Sequence, residues 1–551
     1  MKRFLSLILA LVFVIGICFS VPITITANAA SVSESDDIWT DFASSDFAEG
    51  SGTETDPYVI KTAEQLALMA KLINTEISYY FEGKYYLYNN AHYLKSSYIL
   101  ANDIDLNAHE WVPIANWTEI GWTISCLGFE GTFDGNGFSI ANMHIKKDYM
   151  YTFYGLFGQN RGCIKNLILK DAVIDFESDF EGWQAANGMG QNIYVGGICG
   201  YSVHKDYEDE NNLVKGVIEN CKIENIKIDV KCAGLSLTCG GAIGTLNYSD
   251  MKNVITTGEV KGATSRAIWV GGAVGNIGNK ILVKDSAFVG KIVSLSSGEI
   301  EEAFRPDEGY GYVHYTGGFT GCSGRASSSV RVENCYAISD IVSQCDTGFQ
   351  SVGLFAGSHG LIYDFGIYKN LYCAGSITEN RLDYYVRENY FWQGDCPGFD
   401  NESCIYNNCV VVNQSDVLVY NKTLEEKYCK QTNYSLKEMN YTNIFKDTLG
   451  FDESVWSISD SSLPTLKPCF NHIYTNICDT NCDICGATRI ALHDYAPANC
   501  VVPKTCNICG VTTGSIESFA HIGEVIIPAV APTYESTGLT EGKNVLLVVL
   551  Y

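Results

Sequence analysis

The stretch Tyr194–Val203 reads YVGGICGYSV, an apolar strand-like segment interrupted by three glycines. Related segments recur as YGLFG (154–158), CGGAIG (239–244), VGGAVG (270–275), TGGFTG (316–321) and VGLFAG (352–357). The copies start about 30–45 residues apart, which is a spacing typical of solenoids, propellers and arrays. The segment is therefore one step of a repeat, and this repeat decides the fold.

A second motif follows most copies and consists of an apolar residue, a charged residue, Asn or Asp, and an apolar or small residue. It occurs as IKNL (164–167), IENC (218–221), MKNV (251–254), VKDS (283–286), VENC (332–335) and YKNL (368–371). Side chains alternate between the two faces of an extended chain, so Ile218 is predicted to face inward and Glu219 outward. Asn tolerates the left-handed backbone of a sharp bend, and its amide can bond to the next Asn in a stack.

Together the motifs predict short strands separated by corners, which build a coiled sheet. Glycine is expected to supply positive φ at the corners and to let adjacent backbones approach. The residues between the glycines are expected to stack inward as a ladder: Leu156, Ile198, Ala242, Ala273, Phe319 and Phe355. Strand alternation also predicts that Glu219, Lys252 and Glu333 are exposed. A β-propeller is the alternative, but the spacing is irregular and no Trp-Asp signature recurs.

The N-terminus carries an export signal and then a helix signal. Basic residues, an apolar run over 4–19 and ANAA at 27–30 predict a secretory signal peptide over 1–29, followed by a linker over 30–48. In TAEQLALMAKLIN (62–74), Thr62 and Gln65 form a capping box ahead of apolar residues at helical spacing. We expect this helix to cap the first coil, although an ordinary packed helix would look the same.

Charge and cysteine content limit the function. The formal charge is -26, which argues against nucleic-acid and anionic-membrane partners. No other stretch approaches the roughly 20 apolar residues of a spanning helix, so we expect an extracellular chain, secreted or at the cell surface, with no membrane span after processing. The cysteines scattered between Cys126 and Cys429 are interpreted mostly as buried small apolar residues.

Four quoted segments carry a family resemblance: GSGTETDPYVIKTAEQLALMAKLIN (50–74), ANDIDLN (101–107), GTFDGNGFSIANMHI (131–145) and YGLFGQNRGCIKNLIL (154–169). With the later repeats, residues 49–468 resemble bacterial GLUG-motif surface proteins. The resemblance implies a right-handed parallel β-helix of the pectate-lyase-like shape and an adhesin-like role. Some secreted metallopeptidases carry these repeats, but HEWVP (109–113) lacks the second His of their H-E-x-x-H motif.

Candidate catalytic carboxylates are few. Many β-helices of this shape cleave polysaccharides with clustered carboxylates, for which Asp103, Asp105 and Asp134 are the nearest candidates. Turn formation by Asp and Asn-Gly is the stronger interpretation. The acidic loop over 206–212 is interpreted as solvated, and the Tyr-rich stretch over 78–90 fits either ordinary strands or a sugar-stacking face.

The C-terminal region over 469–521 holds two copies of one cysteine-rich unit, HIYTNICDTNCDICGATR (472–489) and HDYAPANCVVPKTCNICG (493–510). They resemble small repeats of secreted proteins from gut-type Gram-positive bacteria. Three Cys and one His per copy match a closed structural Zn²⁺ site. The candidate ligands are His472, Cys478, Cys482 and Cys485 in the first copy and His493, Cys500, Cys506 and Cys509 in the second. A Cys₄ site that joins both C-x-x-C knuckles, or disulfides, are the alternatives.

The last segment, 522–551, is expected to be a degenerate or truncated third unit, led by His521. It ends in NVLLVVLY where a knuckle would continue. Residues Lys543–Val549 can be encoded as AAA AAT GTT CTG CTT GTG GTx, and one A added to the run of A would make this Lys-Lys-Cys-Ser-Ala-Cys-Gly. We therefore hypothesise a frameshift at this point; the alternative is a natural ending whose codons match by chance.

The sequence therefore predicts an exported, non-catalytic β-helix with an adhesin-like binding or display role. Its partner is expected to be a host or environmental glycan or surface protein. The alternative is a carbohydrate-active enzyme, either a polysaccharide lyase or a glycoside hydrolase. Three or more carboxylates that converge in one groove would favour the enzyme.

Overall fold

The structure is a computed structural model of the 551-residue chain. It describes residues 37–75, 78–81, 84–87, 92–116, 119–120, 123–124, 128–147, 152–179, 192–204, 214–296, 313–323, 330–345, 349–359, 366–381, 404–413, 416–422, 430–435, 440–467, 478–480, 493, 495–498, 502–515, 524–527 and 542–545. Residues 38–551 belong to one compact unit. The predicted signal peptide lies outside the described residues.

Three sheets with parallel pairing dominate the described residues. The long sheet has eighteen strands: Tyr58–Ile60, Ser97–Leu100, Ile104–Asp105, Thr132–Asp134, Ser139–Ala141, His144–Ile145, Cys163–Lys165, Ile168–Lys170, Val173–Asp179, Gly216–Ala233, Ser249–Thr264, Ile281–Lys284, Ala287–Ser296, Val330–Cys345, Gly366–Arg381, Cys404–Asn413, Asp416–Lys422 and Lys430–Ser435. Its last two strands pair antiparallel. The all-β class of the prediction is confirmed.

Two six-stranded parallel sheets complete each repeat. Sheet A consists of Phe153–Tyr154, Asn192–Gly196, Ser236–Gly240, Ile268–Gly271, Val313–Gly317 and Phe349–Gly353. Sheet B consists of Phe157–Asn160, Cys199–Ser202, Ile243–Leu246, Val274–Ile277, Thr320–Ser323 and Ala356–His359. The chain visits the long sheet, sheet A and sheet B in turn, and each strand pairs in parallel with its equivalent in the next copy.

The shorter elements lie around these sheets. The helices are a 3-10 helix at Trp39–Phe42, α-helices at Ala63–Asn74 and His92–Lys95, and a π-helix at Asn443–Thr448. The antiparallel strands are Ser78–Phe81, Lys84–Leu87, Glu119–Ile120 and Thr123–Ile124 in one sheet, Trp456–Ser457 with Thr465–Leu466, Tyr495–Ala496 with Lys504–Cys506 and Thr512–Thr513, and Glu524–Ile527 with Gly542–Val545.

The predicted inward ladder is confirmed. Leu156, Ile198, Ala242, Ala273, Phe319 and Phe355 are all fully buried. The backbone N–H of Ile198 donates to the Ala242 carbonyl of the next copy at 2.9 Å, and the Phe319 and Phe355 rings stack with centroids 5.0 Å apart. The charged residues that were predicted to be exposed are only partly exposed: Glu219, Lys252 and Glu333. The reason is that side chains of adjacent copies lie alongside one another, as Glu219 does with Lys252.

The asparagine corners also match the prediction. Asn166, Asn220 and Asn253 have φ of 53°, 52° and 53°. The Nδ2 of Asn220 donates to Asn166 Oδ1 at 3.2 Å, and the Nδ2 of Asn253 donates to Asn220 Oδ1 at 2.9 Å. The same stacking continues from Asp285 through Asn334 and Asn370 to Asn408. Each amide thus bonds to its neighbours while its backbone turns the corner.

Of the two roles expected for the glycines of the repeated step, the close approach of adjacent backbones is confirmed and the positive φ at corners is wrong. Among the described residues, none of Gly196, Gly200 and Gly244 has a left-handed φ. A Cβ on Gly196 would lie 2.6 Å from the Gly244 nitrogen, and a Cβ on Gly244 would lie 2.8 Å from the Val195 nitrogen. Strands of sheets A and B therefore approach so closely that only a hydrogen fits, while Asn supplies the left-handed corners.

The predicted helix over Ala63–Asn74 covers one end of this core. The Thr62 side chain accepts from the Gln65 backbone N–H, and Gln65 Oε1 accepts from the Lys61 N–H at 2.8 Å. Leu66, Met69 and Ile73 of this helix are fully buried in the main core. Trp39, within the predicted linker, is also buried there, and its Nε1 donates to the Leu106 carbonyl at 2.9 Å.

Residues 440–467 form a covering segment that packs on the long sheet. Its Phe445 ring lies 4.7 Å from the Tyr372 ring of the sheet. The Tyr336 hydroxyl donates to the Pro464 carbonyl at 2.7 Å, and the Trp456 Nε1 donates to Asp285 at 3.3 Å. Apolar side chains on the face of the long sheet away from the main core are thereby buried in a second, smaller core.

Candidate functional site

A small three-stranded sheet positions the second cysteine-rich copy. Tyr495 pairs with Cys506 across its first two strands. The knuckle then closes on itself, because the Cys506 N–H donates to the Val511 carbonyl at 2.8 Å and the Gly510 N–H donates to the Cys506 carbonyl at 3.0 Å. Gly510 has φ of +74°, a left-handed conformation that glycine adopts without cost. The pairing holds His493, two residues before Tyr495, next to the knuckle.

Four potential metal ligands converge at this knuckle: Cys478, His493, Cys506 and Cys509. Their ligand atoms all lie within 4.8 Å of one another. The Cys478 and Cys506 sulfurs are 3.4 Å apart, and the Cys509 sulfur is 3.2 Å from His493 Nδ1. Tetrahedral zinc with bonds of about 2.0–2.3 Å needs ligand atoms roughly 3.5–3.8 Å apart. The group could therefore hold one metal ion.

The sulfurs of this group differ in their ease of ionisation. Burial raises the pKa of Cys506, but N–H groups of Cys509 and Ile508 and the side chains of Cys478 and His493 lower it to about 6. Burial and the neighbouring sulfurs raise the pKa of Cys478 to about 12. Thiolates this close together repel one another. Ionisation of a second or third Cys of this group therefore requires a cation between the sulfurs.

The structure brings together four of the eight predicted ligands. His472, Cys482, Cys485 and Cys500 lie outside the described residues. The observed group has the predicted composition of three Cys and one His, but Cys478 comes from the first copy and the other three from the second. The spacing of residues within one copy does not predict that Cys478 joins three ligands of the other copy, because this contact depends on how the two copies pack.

The candidate carboxylates of the repeats accept hydrogen bonds from neighbouring turns and copies. Asp103 Oδ1 accepts from the Ser139 N–H at 2.7 Å and from its hydroxyl at 2.8 Å. Asp134 Oδ1 accepts from the Asn136 N–H at 2.8 Å and from Asn166 Nδ2 at 2.9 Å. Asp105 Oδ1 likewise accepts two bonds. The acidic loop over 206–212 and the side chains of the Tyr-rich stretch lie outside the described residues.

An open groove of about 580 Å³ lies on the long sheet. Its lining includes Lys227, Glu259, Lys291 and Asp340 around the backbones of Gly258 and Gly290. Lys291 Nζ contacts Glu259 Oε1 at 3.1 Å, and Asp340 Oδ1 accepts from the Ser376 hydroxyl at 2.7 Å. Sequence reasoning missed this groove, because its charged residues come from different copies and meet only through the register of the sheet.

Comparisons with known proteins give limited information. No family model matches the chain, and no solved structure matches it. A protein described as "Putative Gly-rich membrane protein" from Evansella cellulosilytica is 30% identical over 183 residues, which are 33% of this chain. The chain spans only 16% of the length of that protein. Among the residues that the structure describes, no helix has the length and apolar character needed to cross a membrane.

Proposed function

We propose that residues 49–468 form a right-handed parallel β-helix of the GLUG-motif kind. The rotation of the chain through the long sheet, sheet A and sheet B supports the coil. The hand rests on the general preference of connections between parallel strands, about 98% of which are right-handed. An electron-density map of the purified protein tests this proposal, because a left-handed coil or separate stacked sheets would contradict it.

We infer that this β-helix is an exported, non-catalytic binding protein with an adhesin-like display role. The observation that carries the inference is the use of Asp103, Asp105 and Asp134, whose carboxylates bond to neighbouring turns and copies. Carboxylates that serve as acid, base or Ca²⁺ ligand must instead point together at a substrate. The partner is a host or environmental glycan or surface protein.

Removal of the signal peptide is tested by N-terminal sequencing of the exported chain, whose first residue is expected to lie near Ala30.

One observation favours the alternative of a carbohydrate-active enzyme. Glu259 and Asp340 line the same open groove, as an acid–base pair would. However, Glu259 is paired with Lys291 and Asp340 with Ser376, and the described lining includes two carboxylates rather than three. This arrangement fits a polar binding surface better than a catalytic centre.

One experiment separates the two functions. The purified exported chain is screened on glycan and matrix-protein arrays, and the same preparation is incubated with the polysaccharides that it binds. Binding without release of reducing ends or unsaturated products is expected. Turnover that disappears in Glu259→Gln but persists in Glu333→Gln, a carboxylate outside the groove, would establish the enzyme instead.

We also propose that the metal of the C-terminal module is Zn²⁺. Sulfur and imidazole ligands in a closed group of four are the donor set that zinc prefers in structural sites. Elemental analysis of the exported full chain, purified without added metal or chelator, should find zinc. A chain without metal and without free thiols in this region would establish disulfides.

A further inference from the structure

The candidate metal group takes its fourth ligand from the neighbouring copy. Cys478 and Cys500 are equivalent, since each is the first cysteine after the leading His of its own copy. A site built within the second copy would use Cys500, which lies outside the described residues. Among the described residues, the Cys478 sulfur lies 3.4 Å from that of Cys506 and within 4.8 Å of the other ligand atoms.

The other three ligands are fixed by the second copy alone. Cys506 and Cys509 belong to one knuckle, and the strand pairing of Tyr495 with Cys506 holds His493 beside it. His493 Nδ1 and the Cys509 sulfur are 3.2 Å apart. A three-ligand set of this kind leaves one position of a tetrahedral ion to be filled from elsewhere.

We propose that a single metal ion joins the two cysteine-rich copies, with Cys478 of the first copy completing the site of the second. This inference rests on the proposed metal binding. The ion closes the chain between Cys478 and His493 into a loop, as a disulfide would, and so limits the freedom of one copy relative to the other. On this proposal the described site is complete only when both copies are present, because Cys478 of the first copy supplies its fourth ligand.

The test compares two matched variants of the exported full chain, Cys478→Ser and Cys500→Ser. Each removes the same atom from the equivalent position of one copy. The zinc-loaded proteins are treated with a thiol-alkylating reagent, and mass spectrometry of peptides reports on Cys506 and Cys509 individually. Metal content of the wild-type chain is measured in parallel.

In Cys478→Ser, we expect alkylation of Cys506 and Cys509 to rise at least about tenfold over wild type, since loss of a group that merely hydrogen-bonds to a ligand already costs about 10–100-fold in metal affinity and Cys478 is proposed as a ligand itself. In Cys500→Ser, both sulfurs should stay protected. Cys478→His, which restores a zinc ligand, should recover protection and thereby exclude simple misfolding.

The reverse pattern, with Cys500→Ser exposing the knuckle and Cys478→Ser leaving it protected, would overturn the inference and support a site within one copy. Equal exposure in both variants, or in neither, would also overturn it. A wild-type chain that holds no metal would instead contradict the proposed zinc site itself, so the two failures are distinguishable.

Discussion

The cysteines of the parallel sheets and those of the C-terminal module are the same residue in two environments. Cys221 in the long sheet and Cys506 in the module are almost equally buried, at 0% and 2% exposure. Burial raises the pKa of the Cys221 thiol far above its usual range, whereas N–H donors and neighbouring ligands lower that of Cys506 to about 6. Burial acts on both thiols, but the Cys506 sulfur also has N–H groups and potential ligands beside it that favour the thiolate.

The two regions also differ in what stabilises them. Cys221 is one of nine buried cysteines described between Cys199 and Cys409, and seven of the nine lie among apolar side chains of the main core. Among the described residues of the module, Ala498 and Cys506 are the buried apolar residues, and Ile508 and Val511 are about half exposed. Packing is thus expected to hold the sheets, and a metal ion is expected to hold the module.

Metal removal should separate the two regions most clearly. A chelator added to the full chain is expected to unfold the module, because structural zinc contributes on the order of 10 kcal/mol to the folding of such units. Cys506 and Cys509 should become reactive while Cys221 and Cys335 stay protected, as read by peptide-resolved alkylation. If Cys506 and Cys509 are equally protected from alkylation before and after chelation, the module does not depend on metal and the proposed difference between the two regions is wrong.

A glycine substitution should damage the sheets and spare the module. Gly321→Ala places a Cβ 2.7 Å from the Val270 nitrogen and 2.7 Å from the Gly275 carbonyl oxygen. Backbone cannot move aside as a side chain can, so we expect a loss of about 3 kcal/mol in the free energy of unfolding. Denaturant melts followed by circular dichroism measure it.

Gly234→Asn is the matched control for that substitution. Gly234 has φ of +76° and no atom within 4 Å of a built Cβ, and Asn accepts this conformation. Its loss should stay below about 1 kcal/mol. If Gly321→Ala and Gly234→Asn lose similar free energies of unfolding, the close approach of backbone at Gly321 is not the cause of the instability.

The asparagine stack should contribute less to the free energy of unfolding than the close contacts at the glycines. Asn220→Ala removes the bonds to Asn166 and Asn253 and puts Ala at φ of 52°, for which we expect a loss of about 2 kcal/mol. Asn220→Gly relieves the backbone and should recover part of it. If the Gly variant is no more stable than the Ala variant, the left-handed corner carries no cost.

The smallest expected effect is a loss of metal at acidic pH. A Cys ligand must be deprotonated to bind a metal ion, so protons compete with the ion. Burial and the neighbouring sulfurs raise the pKa of Cys478 to about 12, so the full chain should release its zinc as the pH falls while the sheets stay folded. Zinc content after dialysis at a series of pH values measures this release, and zinc retained equally at every pH would contradict it.

Several features could be predicted from the sequence because they depend on neighbours along the chain. Asn166 and Asn220 were recognised as corners, since the left-handed backbone is a property of the residue itself. The inward position of Ile198 follows from alternation, and the Thr62 cap from its spacing to Gln65.

Other features required contacts between distant segments. The sequence predicts that the step glycines let adjacent backbones approach, but which backbones meet, as Gly196 of sheet A and Gly244 of sheet B do, depends on contacts between copies. The covering segment was not foreseen, because Trp456 reaches Asp285 across 171 positions of sequence. The groove between Glu259 and Asp340 likewise arises from strand register.

The sequence by itself determined the repeat, its corners, its inward ladder and the ligand types of the module, because residue type and spacing fix local backbone and face. Only the tertiary structure decided which sulfurs meet. Cys478 and Cys500 have the same position in their copies, and among the described residues, which do not include Cys500, it is Cys478 that lies beside Cys506. Packing of one copy against the other makes that choice, since metal ligands are selected by distance in space rather than by order along the chain.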